Sequence, residues 1–276
     1  KINSMISGAS GRKRVQPADL VEVQVPLPPL SVQRKIVAAW EAARKDAAAT
    51  AEKIAQLERN IEARFLADLG IDSAPFVRRD KYFVLPWTTL ERWGVEFNRW
   101  DWTLGDIFKG KHPLRPLDDL AWVNPSRAPK LDRSAKVSFV PMEAVDAESG
   151  EVVGAEEREL AEVAQGFTAF QDGDVIWAKI TPCMQNGKCA LVRGLTNGVG
   201  YGSTEFHVIR SKDTEALVPE FLWALLRLRR LREAAQRYFI GSAGQQRVPP
   251  EFLRELPIPA VPGTVQRQVV ERIAAR

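Results

Sequence analysis

Residues 8–43 return, without a gap, as residues 241–276. One offset pairs Gly8 with Gly241, Gly11 with Gly244, Arg14 with Arg247, Val15 with Val248 and Pro17 with Pro250. It also pairs Leu20 with Leu253, Glu22 with Glu255, Pro26 with Pro259, Pro29 with Pro262, Val32 with Val265, and Gln33-Arg34 with Gln266-Arg267. Self-similarity of this kind governs how everything else is read. The repeat is a frame, and an unrepeated middle sits between its two copies.

A long helix is predicted after the proline run Pro26-Leu27-Pro28-Pro29, with Ser31 as its N-cap and Gly70 beyond its end. No Gly or Pro interrupts the residues between. Apolar or small residues fall at Ile36, Trp40, Ala43, Ala47, Thr50, Ile54, Leu57 and Ile61. Steps of four and three alternate, which is the heptad seam of a coiled coil. Such a helix spans about 55–60 Å. The second copy supplies the start of a matching helix, with Thr264 in the place of Ser31.

The chain has 276 residues, 45% of them hydrophobic and 27% charged, enough for real cores and unlike a disordered segment. The net charge of +4 and pI of about 9.1 are compatible with a polyanionic partner without requiring one. Cys183 and Cys189 are too few for a disulfide framework, which points to a reduced, cytosolic compartment. No apolar run approaches membrane-spanning length. The sequence opens at Lys1 and stops at Arg276 inside a helical pattern, so it reads as a fragment of a longer protein.

Residues 71–86 read as a linker, followed by the aromatics Trp87, Trp93, Phe97, Trp100 and Trp102, placed to seal a core or a domain junction. Strands are predicted at 137–140, 174–178, 188–192 and 205–209. Gly173, Gly187, Gly198, Gly200 and Gly202 are read as turns between them. A helix of roughly twenty residues is predicted from Pro219, with Phe221, Leu222, Leu225, Leu226 and Leu228 on its apolar side. The fold class expected is α+β: a mixed α/β domain of many short strands, joined to a long coiled-coil spacer helix.

Catalytic signatures are weak. Gly187-Lys188-Cys189 lacks the rest of a phosphate loop, and no helical pattern follows Gly198, Gly200 and Gly202. Asn124-Pro125-Ser126 falls short of the Asn/Asp-Pro-Pro-aromatic motif of amino-methylating enzymes. Asp172, Asp174 and Lys179 lack the acidic residue that a nuclease site places two before its lysine. His112, His207 and two isolated cysteines make a poor metal set. No cofactor is expected.

Polar loops hold the more informative residues. The segment 178–188 carries Lys179, Thr181, Gln185, Asn186 and Lys188, and the segment 198–205 carries Tyr201, Ser203 and Thr204. Within the repeat, Gln245, Gln246 and Arg247 stand where Arg12, Lys13 and Arg14 stand in the first copy. Gln and Asn pair with adenine edges, and Lys and Arg with guanine or phosphate. The same residues also suit ordinary polar loops, and Arg14 and Arg247 suit a structural contact. Arg227, Arg229, Arg230, Arg232 and Arg237 form either a solvated basic face or a set of phosphate contacts.

Taken together these segments resemble the specificity subunit of type I restriction–modification systems. The frame at 8–37, with Leu-Pro-Pro-Leu leading into Gln-Arg, is similar to that family's junction into a conserved helix. Phe97-Asn98-Arg99-Trp100-Asp101 resembles the lead-in to a target-recognition domain. Lys179-Ile180-Thr181-Pro182-Cys183-Met184, Asn186-Gly187-Lys188 and Gly200-Tyr201-Gly202-Ser203-Thr204-Glu205-Phe206-His207-Val208 resemble segments inside one.

The resemblance implies a non-catalytic subunit that recognises double-stranded DNA. Each recognition domain reads one half of a split site, and paired conserved helices set the gap. Two methyltransferase subunits dock on it, with motor-nuclease subunits in the restricting complex, in a bacterial or archaeal cytoplasm. The chain then divides into the tail of a preceding recognition domain (1–30), a spacer helix (31–70), a recognition domain (78–258) and the start of a distal helix (264–276). Lys179, Thr181, Gln185, Asn186, Lys188, Tyr201, Ser203, Thr204, Gln245, Gln246 and Arg247 become the expected DNA-contacting set. A chain with one recognition domain reads one half-site, or pairs with a second copy as a homodimer. Two other readings compete: a methyltransferase with a fused recognition domain, and a structural coiled-coil adaptor without base readout.

Overall fold

The long helix, α1, runs Leu30–Asp68 in the computed structural model, which describes residues 21, 23–126, 131–242 and 244–274. Arg12, Lys13 and Arg14, and with them most of the first repeat copy's lead-in, lie outside the described residues. Lys1–Glu58 and Arg59–Arg276 form two separate compact units.

Within the first unit, α1 starts on a proline carbonyl. Val32 and Gln33 both donate their backbone N–H to Pro29 O, at 2.8 and 3.0 Å. Ser31 therefore lies in the first turn and not at the cap, because the proline carbonyl already serves the first free N–H groups. Ile36, Trp40, Ile54 and Leu57 of the expected seam are exposed.

Within the second unit, the end of α1 is buried. Phe65 and Leu66 pack into the core, and the Phe65 ring lies 6.1 Å from that of Phe221. Gly70, at φ 61°, ends the helix: its N–H reaches Ala67 O at 2.9 Å, and that of Ile71 reaches Leu66 O at 2.8 Å. This double bond pattern needs a left-handed residue, which is why glycine stands there.

The remaining elements follow in chain order. After α2 (Val95–Asn98) come β1 (Leu114–Pro116), α3 (Leu117–Leu120), β2 (Ala121–Val123), β3 (Lys136–Val140), β4 (Glu156–Glu159) and α4 (Leu160–Val163). Then come β5 (Thr168–Gln171), β6 (Val175–Ala178), β7 (Cys189–Leu191), β8 (Val199–Gly202) and β9 (Phe206–Ser211). The chain continues through α5 (Pro219–Arg227), α6 (Arg229–Gln236), α7 (Pro250–Glu255), β10 (Pro257–Pro259) and α8 (Gly263–Ala274).

Two four-stranded sheets face each other. One has the order β2-β9-β6-β7 and is antiparallel throughout; the other has the order β4-β3-β8-β5, with β3 and β8 parallel. The pleat sorts side chains between two cores. Val175 and Trp177 of β6 join the helical core with Phe221, Leu222 and Leu225, while Ile176 turns to Val140 and Phe170 of the other sheet. Because β6 is covered on both faces, all four of its residues are buried. A third cluster on the outer face of the second sheet holds Val137, Phe139, Leu160, Val163, Val199 and Tyr201. The architecture is α+β.

Three expectations are corrected. Gly200 and Gly202 are strand residues of β8, not turns. They are needed for close approach: a Cβ on Gly202 would lie 2.3 Å from Val140 O, and one on Gly200 would lie 2.1 Å from the Phe170 ring. The helix after Pro219 is two helices, broken at Leu228, which is extended with ψ 134°. Trp87 and Trp93 seal nothing: they are exposed and touch edge-to-face at 6.2 Å, whereas Phe97 and Trp102 are buried.

No helix among the described residues is long and apolar enough to cross a membrane. No three His, Cys, Asp or Glu side chains among them are grouped to hold a metal ion.

Candidate nucleic-acid interface

Three segments far apart in sequence meet at one end of β6 and β9. Lys179 N–H donates to Glu205 O at 2.9 Å, and Lys179 O accepts from Val248 N–H at 2.9 Å. Thr181 N–H donates to Gln246 O at 2.9 Å. Arg247 forms single bridges with Ile180 and with Ile240. The loop 179–188, the turn 203–205 and the segment 245–248 are thus joined through their backbones.

The loop itself is wound as a compact turn on a cis Thr181-Pro182 bond. Met184 N–H donates to Ile180 O and Asn186 N–H to Pro182 O, both at 2.9 Å. Met184 is fully buried and plugs the loop into the helical core. Thr181 Oγ1 donates to Gln185 Oε1, so these two polar side chains hold each other.

The side chains of the expected set divide by position. Asn186, Thr204 and Gln245 are exposed, and Lys179, Thr181, Gln185, Ser203, Gln246 and Arg247 are half-buried. Arg247 and Glu205 form a bidentate ion pair, with Nε at 2.9 Å and one terminal nitrogen at 2.6 Å from the carboxylate oxygens. The guanidinium holds the Glu205 carboxyl below its ordinary range, with Lys179 adding to the effect. A cavity of about 540 Å³ opens beside Gln246, walled by Phe76, Trp100, Trp102 and Phe239.

Two members of the set belong elsewhere. Lys188 Nζ donates to Met142 O and Val145 O, at 2.8 and 2.7 Å, and so ties its loop to the chain after β3. Tyr201 is 7% exposed in the outer-face cluster, where desolvation pushes its hydroxyl pKa up. Alternation along β8 carries this side chain to the outer face with Val199.

The arginine group fits neither of its expected roles. Arg227 donates to Glu148 O at 2.7 Å, Arg232 to Gln185 O at 2.9 Å, and Arg230 to Asp72 O. Arg237 donates to Trp102 O and Phe97 O, at 3.1 and 2.7 Å, and lies over both rings. These guanidiniums staple loops to the α5–α6 layer. Arg229 is the exposed one, paired with Glu233 at 3.1 Å. Asp174 and Asp172 are likewise structural: Asp174 takes Arg210 bidentately at 2.7 Å, and Asp172 accepts from Leu195 N–H at 3.0 Å.

A latch beneath the loop cluster escaped sequence reasoning. Neutral His207 donates Nε2–H to Val248 O at 2.9 Å and accepts at Nδ1 from Asn124 Nδ2 at 3.0 Å. Asn124 Oδ1 in turn accepts from Val208 N–H at 3.0 Å. Burial pushes the His207 pKa down to about 4. Asn124 adopts φ 55°, a left-handed conformation that asparagine tolerates better than most residues. The latch fastens the end of β2 and the segment at 248 to β9. No spacing signal links two residues 83 apart.

No family model matches the chain. It is 36% identical over 154 residues to the type I restriction enzyme EcoEI specificity subunit of Escherichia coli, covering 56% of this chain and 26% of that protein. To the EcoAI specificity subunit of the same organism it is 32% identical over 176 residues, covering 61% and 30%. The chain thus spans roughly a quarter to a third of the length of these curated relatives. Among solved structures, a chain of a type I R-M system aligns with TM-score 0.48 and 26% identity, covering 60% of this chain and 43% of that one. The HsdS subunit from Thermoanaerobacter tengcongensis aligns with TM-score 0.42 and 23% identity, covering 60% and 38%.

Proposed function

We propose that this chain is the part of a type I specificity subunit that reads one half of a bipartite DNA site and carries the helix spacing it from the other half. Residues 78–258 form the recognition domain, 1–30 are the tail of a preceding one, 31–70 are the spacer helix, and 264–276 begin the distal helix. The observation that carries this reading is the convergence of 179–188, 203–205 and 245–248 on one end of a two-sheet core. Polar side chains displayed on hydrogen-bonded loops are what base readout requires, because a mobile loop loses discrimination. Likeness to two specificity subunits supports the same reading.

Asn186, Thr204 and Gln245 are the side chains best exposed to meet base edges, and Gln185 and Gln246 are half-buried. Lys179 is suited to phosphate or guanine. The subunit is non-catalytic and takes no cofactor. Methyl transfer belongs to two docked methyltransferase subunits, and cleavage to motor subunits in the restricting complex. The setting is the cytoplasm. The exposed seam Ile36, Trp40, Ile54 and Leu57 is the surface for a partner helix.

The test is a mobility shift on genomic fragments with methyltransferase subunits, with and without this chain. Sequence-dependent binding that needs the chain supports recognition. Assembly without sequence preference would make it an adaptor, and methyl transfer by the chain alone would make it an enzyme. Gln185→Ala and Lys179→Ala should relax or weaken recognition while the domain stays folded. A heptad inserted into 31–69 should change the spacer and leave the half-site letters unchanged.

A further inference from the structure

The frame repeats a side-chain clamp as well as a sequence. In α8, Val265 and Gln266 donate their backbone N–H to Pro262 O, at 2.9 and 3.0 Å, as Val32 and Gln33 do to Pro29 O in α1. Gln266 Nε2 donates to Val261 O at 2.7 Å, and Gln33 Nε2 donates to Pro28 O at 2.7 Å. The repeat offset pairs each of these residues with its counterpart.

The two clamps differ in what they hold. Gln266 is 1% exposed and also donates to Ala216 O and accepts from Val218 N–H, both at 2.9 Å. Val218 is the residue before Pro219, the first residue of α5, whose Phe221, Leu222, Leu225 and Leu226 are fully buried. Gln266 therefore fixes the start of the launched helix to the start of the domain's central helix. Gln33 is half-buried, and Pro28 O is its side chain's one partner among the described residues. Residues preceding the second clamp, Val248, Leu253, Leu256 and Ile258, are core residues. The first copy keeps apolar residues at the matching places, Val15, Leu20, Val23 and Val25, and Val25 is 74% exposed.

We propose that Gln33 and Gln266 are equivalent positioning residues. Each clamps the start of a recognition domain's central helix to the helix that follows the domain. Gln266 does so for the domain seen here, and Gln33 does so for an upstream domain of the same build in the full-length subunit. This rests on the recognition reading above. The clamp sets the angle at which the spacer helix leaves the domain. A 39-residue helix is about 58 Å long, so a tilt of about 5° moves its far end by about 5 Å. That exceeds the rise of one base pair, about 3.4 Å.

The experiment places Gln33→Met and Gln266→Met in the full-length subunit assembled with its methyltransferase, and reads the methylated motif across the host genome. Methionine keeps the volume and helix propensity and removes every side-chain hydrogen bond of the clamp. We expect unchanged half-site letters, with methylation spreading to gaps one base pair longer or shorter. Preference for the original gap should fall about tenfold, the effect of one net hydrogen bond. Gln266→Glu, which keeps the acceptor for Val218 N–H, should lie between. Variants that keep one gap at the unaltered preference overturn the inference. If Gln266→Met melts the domain, Gln33→Met, outside the 59–276 unit, carries the test alone. An unaltered assembly that methylates no split site would overturn the recognition reading and the clamp with it, a result seen before any substitution is made.

Discussion

Arg247 grips Glu205 through two guanidinium nitrogens, so the segment at 245–248 and the turn at 203–205 share one ion pair. Both side chains remain partly exposed. The pair neutralises a cation at the loop cluster. Glu205→Gln removes the internal competitor and frees Arg247 for phosphate. In the assembled complex, the slope of log affinity against log salt should steepen by about 0.9, one phosphate contact. Fluorescence anisotropy on a labelled duplex between 50 and 200 mM salt, as roughly chosen endpoints, reads this. An unchanged slope would mean that Arg247 faces away from DNA.

His207 makes the 59–276 unit acid-sensitive. Its pKa is about 4 in the fold, because burial disfavours the charged ring, against 6.5 for the ordinary side chain. The unfolded chain therefore takes up a proton that the native chain refuses. Stability is full above pH 6.5, falls as pH drops through the window down to about 4, and its histidine share is lost below that. The slope is about 1.4 kcal/mol per pH unit, roughly 3 kcal/mol in all. Urea unfolding at pH 7, 6 and 5 measures it above the range where carboxylates titrate. A flat response there would mean that the Asn124–His207–Val248 latch opens without cost.

Much of the fold was legible because local chemistry agreed with it. The four strand expectations fall on β3, β6, β7 and β9, whose runs of branched and aromatic residues have a side-chain period of two. What stayed hidden depends on distant partners. Glycine in β8 reads as a turn, and only the approach of Val140 O and the Phe170 ring explains it as strand. The helix break at Leu228 carries no Gly or Pro, and its partner Glu62 lies 167 residues away from Arg229. The three polar segments could be recognised by composition, but not that Lys188 and Tyr201 are drawn inward while Asn186 and Thr204 stay out.

Arg237 separates a structural arginine from a phosphate contact. It holds two backbone carbonyls and stacks 4.0 Å from the Trp102 ring centroid and 4.4 Å from that of Phe97. Arg237→Met keeps much of the packing and leaves those carbonyls without their donor. We expect a loss of about 2–3 kcal/mol of stability, from hydrogen bonds to a charged group and the cation–π contacts. The salt slope of DNA binding should not change, since a guanidinium committed to two carbonyls and two rings takes no phosphate and releases no counterion. Normal stability with a shallower slope would reverse the assignment.

Glu62 supplies the cap that lets α5 and α6 separate. Leu228 is extended, so the first N–H groups of α6 have no carbonyl one turn back. Glu62 Oε2 accepts from Arg229 N–H at 3.1 Å and Oε1 from Arg230 N–H at 3.0 Å. A carboxylate at a helix N-terminus is favoured by the dipole as well as by the bonds. Glu62→Ala should cost about 1–2 kcal/mol, within the range measured for lost caps. Glu62→Gln, with one acceptor oxygen and no charge, should lose part of that. The urea midpoint should fall with its slope unchanged, because the break stays local. If both substitutions are neutral, the break at Leu228 is held by the burial of Leu228 and Leu231 alone, and the cap is incidental.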